Sequence, residues 1–208
     1  MSLGVSIGRL ARFVEDGDYP EGVEEFERHM SEINRLLAEK KLPTHDEPRT
    51  MPEVRSRSAL DHMGYSMFAR LQRAVAFSRN PQKKFTPLRA NTDPSCNAVV
   101  IAEQRRGGSH IIGSSVEGYL VPVDFPTPLP SNALPGRAVG SCQSALRELV
   151  VVAPLLNIAL EGDQLPDAVA EEINNDDTSK LADERTAWLI LFEAFRLGIE
   201  HKTAVCFH

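Results

Sequence analysis

Apolar residues in this chain recur mostly at three- and four-residue spacing, which commits most of it to helices that pack through one face. Ile7, Leu10 and Phe13 or Val14 share such a face before Asp16-Gly17-Asp18 stops it. A second helix is predicted after Pro20, through Val23, Phe26, Met30, Ile33 and Leu37. Residues 42–53, LPTHDEPRTMPE, contain three prolines and read as an extended linker. A third helix is expected over about 58–79, with Leu60, Met63, Phe68, Leu71 and Val75 inward and an interruption at Gly64. Over 94–106 the β-branched cluster Val99-Val100-Ile101 competes with Asp93-Pro94 as a helix start and Gly107 as a stop, and the capping signals favour a helix.

The period switches to two only in Glu117 to Phe125 and in Thr203 to Phe207. Between them three more helices are expected, from Ser141 to Pro154, about Pro166 to Asn174, and about Ser179 to His201. The expected architecture is therefore α+β: a mostly helical body with a small two- or three-stranded sheet. One domain, 1–208, is expected, made of an N-terminal helical pair (1–41), an extended linker (42–56) and a main body (57–208).

Several classes are excluded at this level. The richest apolar run, Trp188 to Phe195, is broken by Glu193, far short of the ~18 apolar residues a membrane span needs. No basic stretch followed by an apolar core opens the chain, so a secretory leader is not expected. Cys96, Cys142 and Cys206 are odd in number and widely separated, which points to reduced thiols and a cytoplasmic location. The six histidines form no paired metal-ligand pattern, and phosphate-loop and dinucleotide glycine patterns are missing, so no metal and no cofactor are expected.

Charge is distributed unevenly about a net of −6. Residues 1–48 carry six basic and eleven acidic side chains, residues 49–90 nine and two, and residues 163–208 four and ten. The acidic total disfavours direct nucleic-acid binding, which needs surplus Lys and Arg. Arg70, Arg73, Lys83, Lys84 and Arg89 within the basic block form a candidate anion site, although pairing with the acidic ends is the simpler account of them.

Three stretches are candidates for chemistry. In HIIGSSVEGYLVPVDFP, residues 110–126, His110, Ser115 and Glu117 lie close in sequence, yet strand alternation sends Glu117 and Asp124 to opposite faces. Pro122 marks an edge or bulge, and the serines lack a strand–turn–helix elbow. In GSCQSALREL, Cys142 would sit in the first turn of a helix capped by Ser141, where the dipole activates a thiol, with His110 or His201 as its base. The plain alternative is a capping serine beside a small packed thiol. In the C-terminal helix Glu193 interrupts an apolar run at three residues from Arg196, and His201 ends the helix, where a cation is favoured.

EGYLVPVDF, the G-S-C helix start, RELVVVAPLLNI and WLILFEAFRLGIEHKTAVCF resemble an uncharacterised family of bacterial cytoplasmic proteins of unknown function. LPTHDEP followed by a helix containing Tyr65 is similar to that family too, so the resemblance runs from about residue 40 onward. It implies a bacterial, cytoplasmic, single-domain protein and lends no catalytic residue.

Taken together, the sequence leans away from an enzyme and toward a cytoplasmic protein-binding module of the immunity or antitoxin-inhibitor type, whose acidic surface would complement a basic partner. Another protein is then the expected partner, with no membrane. A second reading is a small hydrolase-like or thiol-dependent enzyme with Cys142, His110, Ser115, Glu117, Glu193 and His201 meeting between the sheet and the C-terminal helices. A third is anion or nucleic-acid binding through the basic 70–89 segment.

Overall fold

The computed structural model describes residues 2–17, 19–89, 92–113 and 117–208. Its sheet has six strands: β1 (Ser2–Ile7), β2 (His62–Gly64), β3 (Gly118–Val121), β4 (Leu129–Pro130), β5 (Ala138–Ser141) and β6 (Val205–Phe207). They run in the order β2-β1-β6-β3-β5-β4. β3 and β5 are parallel, and every other neighbouring pair is antiparallel. The small two- or three-stranded sheet expected from the sequence is thus corrected to a six-stranded mixed sheet, within an α+β fold.

Among the described residues seven helices form: α1 (Arg9–Asp16), α2 (Pro20–Glu39), α3 (Tyr65–Ser78), α4 (Ala98–Arg106), α5 (Cys142–Val152), α6 (Asp167–Asn174) and α7 (Ala182–Glu200). Strand alternation divides their partners between the two faces of the sheet. Leu120, Val205 and Phe207, with Leu3, Val5 and Ile7, point toward α3, α5 and α7. Tyr119, Val121, Cys206 and Val139 point toward α1 and α2, whose Leu10, Phe26, Met30, Ile33 and Leu37 cover them.

α7 holds the larger core together. Thirteen of its nineteen residues are buried, and its apolar side chains run all round the helix. Such a helix needs neighbours on every side. The sheet lies beneath it, with α3, α5 and α6 around it. Trp188 stacks on Phe192 with ring centroids 4.7 Å apart, and its indole N–H donates to the Leu149 carbonyl of α5 at 2.8 Å. α7 is nevertheless not long and apolar enough to cross a membrane, nor is any other helix among the described residues.

The first stretch of chain departs from expectation. SLGVSI is a strand, because Leu3, Val5 and Ile7 alternate into the core while α1 begins only after Gly8 adopts a left-handed backbone. Within the expected third helix, His62–Gly64 pairs with β1 and the helix proper starts at Tyr65. The expected helix over 94–106 is present from Ala98, capped by the Asn97 side chain on the Val99 amide rather than by Asp93.

Gly140 on β5 tests the packing of this sheet directly. A Cβ there would stand 2.8 Å from Leu120 Cγ and 3.4 Å from His110 Nδ1. Gly140→Ala should therefore cost about 1–3 kcal/mol, read as a lowered urea midpoint at unchanged slope.

Candidate functional site

The chemistry-bearing residues singled out in the sequence serve mostly to hold the fold. Cys142 is 0 % exposed, and its thiol donates to the Leu120 carbonyl at 3.3 Å. Burial pushes its pKa far up, which opposes the activation expected of a first-turn thiol. His110 is 2 % exposed, and its Nδ1 accepts the Ser141 amide at 3.0 Å. Its ring stands edge-on to Phe125. Burial lowers the imidazole pKa to about 4; the Pro126 carbonyl raises it and Arg147 lowers it further. The backbone thus brings His110 beside Ser141, while the Cys142 sulfur turns away to the sheet.

Glu193 is buried on α7 and accepts from the Arg57 amide and Nε, both at 3.0 Å, and from Arg57 Nη2 at 2.6 Å. Arg196 Nε and Nη2 add bonds at 3.1 and 2.9 Å. Burial alone would raise the Glu193 pKa, but the hydrogen bonds from Arg196 and Arg57 hold it below the usual carboxylate range. His201 caps the C-terminus of α7, with Nε2 3.9 Å from Glu200. Glu117 is exposed at the entry to β3, and Ser115 lies outside the described residues. His110 and Glu117 share the lining of a cavity of about 20 Å³, room for a single water. Among the described residues, the five candidates form no paired nucleophile and base, so the enzyme reading has no assembled centre.

The basic 70–89 segment is likewise turned to structural use. Arg70 is buried; its Nη2 donates to the Arg89 carbonyl at 3.1 Å, and its Nε lies 3.3 Å from Asp183. Arg73 is buried too, donates to the Thr86 carbonyl at 2.8 Å, and stacks 4.8 Å from the centroids of both Phe77 and Phe85. Lys83, Lys84 and Arg89 remain exposed, but without Arg70 and Arg73 they make no continuous basic surface. The anion and nucleic-acid reading is corrected accordingly: the two helical arginines pin the 79–89 loop from beneath.

The acidic residues behave differently. Between Glu161 and Glu184 the sequence has nine carboxylates and one lysine, Lys180. Ala170 and Ile173 bury one side of α6 in the core, leaving Asp167, Glu171 and Glu172 outward. A tight turn at Gly162, closed by Glu161 N–H to Gln164 carbonyl at 3.0 Å, presents Glu161 and Asp163 ahead of it. Asp176 folds the chain behind it by accepting from the Ser179 amide at 2.9 Å, with Asp177 exposed alongside. Arg185 binds Glu172 at 2.6 Å and Asp176 at 2.7 Å, and Arg57 reaches Asp167 at 3.2 Å. Glu161, Asp163, Glu171 and Asp177 have no cationic partner among the described residues.

α2 is the other acidic element, and it is largely neutralised. Glu25 pairs with Arg28 at 3.5 Å, Glu32 with Arg35 at 2.7 Å, Glu39 with the same Arg35, and Glu27 with Arg49. Arg35 and Ser131 together draw the Glu32 pKa down to about 2. The sequence signal for the α6 surface was available in the run of carboxylates from 161 onward. It was obscured by counting that run together with the compensated acids of α7.

Residues 1–207 match a family model described as "Putative DNA-mimic protein", and the chain belongs to that family. No curated protein and no solved structure matches it. The family overturns the expectation of an immunity or antitoxin-type inhibitor, because it is described by mimicry of DNA rather than by toxin neutralisation.

Two measurements check the burial described above. A disulfide reagent at pH 8 should modify one thiol quickly in the native protein, and Cys96→Ser should remove that reaction, since Cys142 and Cys206 are buried and Cys96 is exposed. His110 titrates below its unfolded value of ~6.5, so the unfolded chain binds the extra proton between the two. Its contribution is complete above about pH 6.5 and is lost as pH falls toward about 4. Urea unfolding across that window should show this slope, and His110→Asn should flatten it.

Proposed function

We propose that this protein acts as a DNA mimic, presenting the α6 surface to the DNA-binding groove of another protein and so competing with the duplex. The observation that carries the reading is the set of four uncompensated carboxylates, Glu161, Asp163, Glu171 and Asp177, on a surface where most neighbouring charges are also negative. Family membership supports the reading independently. B-DNA offers one charge per ~3.4 Å of each strand. Carboxylates at i and i+4 on a helix stand ~5–6 Å apart, a sparser spacing; on α6 Asp167, paired with Arg57, and the free Glu171 have it.

α6 is preferred over α2 for a physical reason. Most carboxylates of α2 have an arginine within ion-pair distance, so their fields cancel beyond about one Debye length, ~8–10 Å in cellular salt. The four free groups around α6 keep theirs. A partner is then a protein whose groove is lined with Lys and Arg for phosphate contact, steered by complementary potential. Direct binding of DNA by this chain would oppose its own charge.

The test is displacement of a fluorescent duplex from a panel of purified DNA-binding proteins covering helix-turn-helix, architectural and nuclease types. The chain should release duplex from at least one of them. Joint replacement of Glu161 and Glu171 by Gln with Asp163 and Asp177 by Asn should raise the half-displacing concentration at least tenfold. Neutralising Glu25, Glu27 and Glu32 of α2 should change it less than about threefold. Release from no member of the panel, or an α6 variant as effective as the parent, would sink the proposal.

A further inference from the structure

A cleft of about 290 Å³ opens between α1 and α2 on one side and the ends of β3 and β6 on the other. Its walls include Arg9, Phe13, Phe26, His29, Tyr119 and Phe207. Two of its polar groups are unused. Arg9 sits 5.2 Å over the Phe13 ring and, unlike Arg28, Arg35 and Arg57, has no carboxylate partner among the described residues. His29 is 7 % exposed; its Nδ1 lies 2.9 Å from the Tyr119 hydroxyl, and its Nε2 has no hydrogen-bond partner among the described residues.

His29 and Tyr119 are held in place by packing. Phe26 meets Tyr119 edge-on with centroids 5.7 Å apart, and His29 tilts against the same tyrosine ring at 5.5 Å. Burial lowers the His29 pKa against the pull of Glu25, so the imidazole is neutral at neutral pH. With the tyrosine hydroxyl donating to Nδ1, the imidazole proton sits on Nε2, a second donor in the lining of the cleft that Arg9 also lines. A fixed fork of N–H donors and a neutral N–H, above apolar rings, matches a flat apolar group with one carboxylate. The rim narrows the class further. Glu25, held by Arg28 at 3.5 Å, and Glu117 stand at the mouth and disfavour dianions such as phosphate esters.

We infer that this cleft binds a small aromatic monocarboxylate, its carboxylate on Arg9 and His29 and its ring against Phe26 and Tyr119. The site is separate from the α6 surface, on the opposite face of the sheet, and stands whether or not that surface mimics DNA.

Calorimetric titration of the full chain with benzoate, phenyl phosphate and inorganic phosphate tests the inference. Benzoate should bind one-to-one at millimolar or tighter concentration, ahead of both phosphates. Arg9→Ala should weaken it at least tenfold and His29→Gln severalfold, while Arg12→Ala, one turn along α1 on the exposed side, should leave it unchanged. Circular dichroism establishes that each variant is folded. If Arg9→Ala does not fold, the ring protons of His29 in the parent protein decide: a saturable shift with benzoate supports the site, and no shift overturns it. Absence of benzoate binding, equal losses in Arg9→Ala and Arg12→Ala, or phosphate binding as tight as benzoate would each overturn it.

Discussion

The rest of the structure depends on burying α7 on all sides without leaving its one mid-helix charge unpaired. Leu189, Leu191, Phe192 and Phe195 are all buried, so no face of the helix is free to turn toward water. Glu193 lies in the middle of them at 0 % exposure. An unpaired carboxylate there would be expensive, and removing one partner from a buried ion pair typically costs about 3–5 kcal/mol. The solution draws on a remote part of the chain. Arg57, at the end of the extended segment, supplies its amide and guanidinium to Glu193 while also reaching the Leu165 carbonyl and Asp167. One arginine thereby ties the extended segment to α7 and to the start of α6.

A second buried knot fastens the other end of the same segment. Glu47 accepts from the Ala204 amide at 2.8 Å and pairs with His45 at 2.6 Å, while Thr203 donates to Glu47 and receives the Gly8 amide at 3.0 Å. Asn34 of α2 clasps the His45 backbone in both directions, at 2.7 and 2.8 Å. What reads in sequence as a proline-rich linker is therefore a strap across the domain, fixed to both helical layers by polar side chains.

This explains what was legible in the sequence and what was not. Long segments with a repeated period were plain: α2, α5, α6 and α7 all appear within a few residues of their expected ends, because five or more apolar side chains, or a Ser or Pro at the start, report the same face. β2, β4 and β5 have only two to four residues each, too few for alternation to register, and their pairing is a tertiary fact, whereas β6 lies inside the Thr203 to Phe207 stretch that reads as a strand. β1 was misread because Ile7, Leu10 and Phe13 happen to satisfy helical spacing across the Gly8 junction. The roles of Arg57, Arg70 and Arg73 were hidden for a related reason. Their partners Glu193, Asp183 and the 86–89 carbonyls are brought to them by folding, and nothing local distinguishes a buried arginine from a surface one. Among the site candidates, Cys142 showed its position in a capped first turn, while its orientation toward the Leu120 carbonyl depended on a parallel strand pair invisible in the sequence.

Folding also decides which charges count at the surface. Part of the basic block that balances the formal total is drawn inward: Arg57, Arg70 and Arg73 spend donors on buried carboxylates, carbonyls and aromatic rings, while Lys83, Lys84 and Arg89 stay exposed. Buried acids such as Glu47, Glu103, Glu184 and Glu193 offset the buried arginines, so the negative character around α6 comes from its local run of carboxylates rather than from the chain's total. Its physics still differs from that of a duplex. DNA carries a condensed counterion layer whose release drives much of protein binding and makes it steeply salt-dependent. Isolated carboxylates ~5–6 Å apart on a helix carry charge too sparsely to condense such a layer fully. A protein surface of this kind gains less from ion release, so under the proposed mimicry any advantage over DNA would have to come from rigidity. Ala170 and Ile173 anchor α6 in the core, and Arg57 and Arg185 hold Asp167, Glu172 and Asp176, so the helix backbone that carries Glu171 is set before a partner arrives.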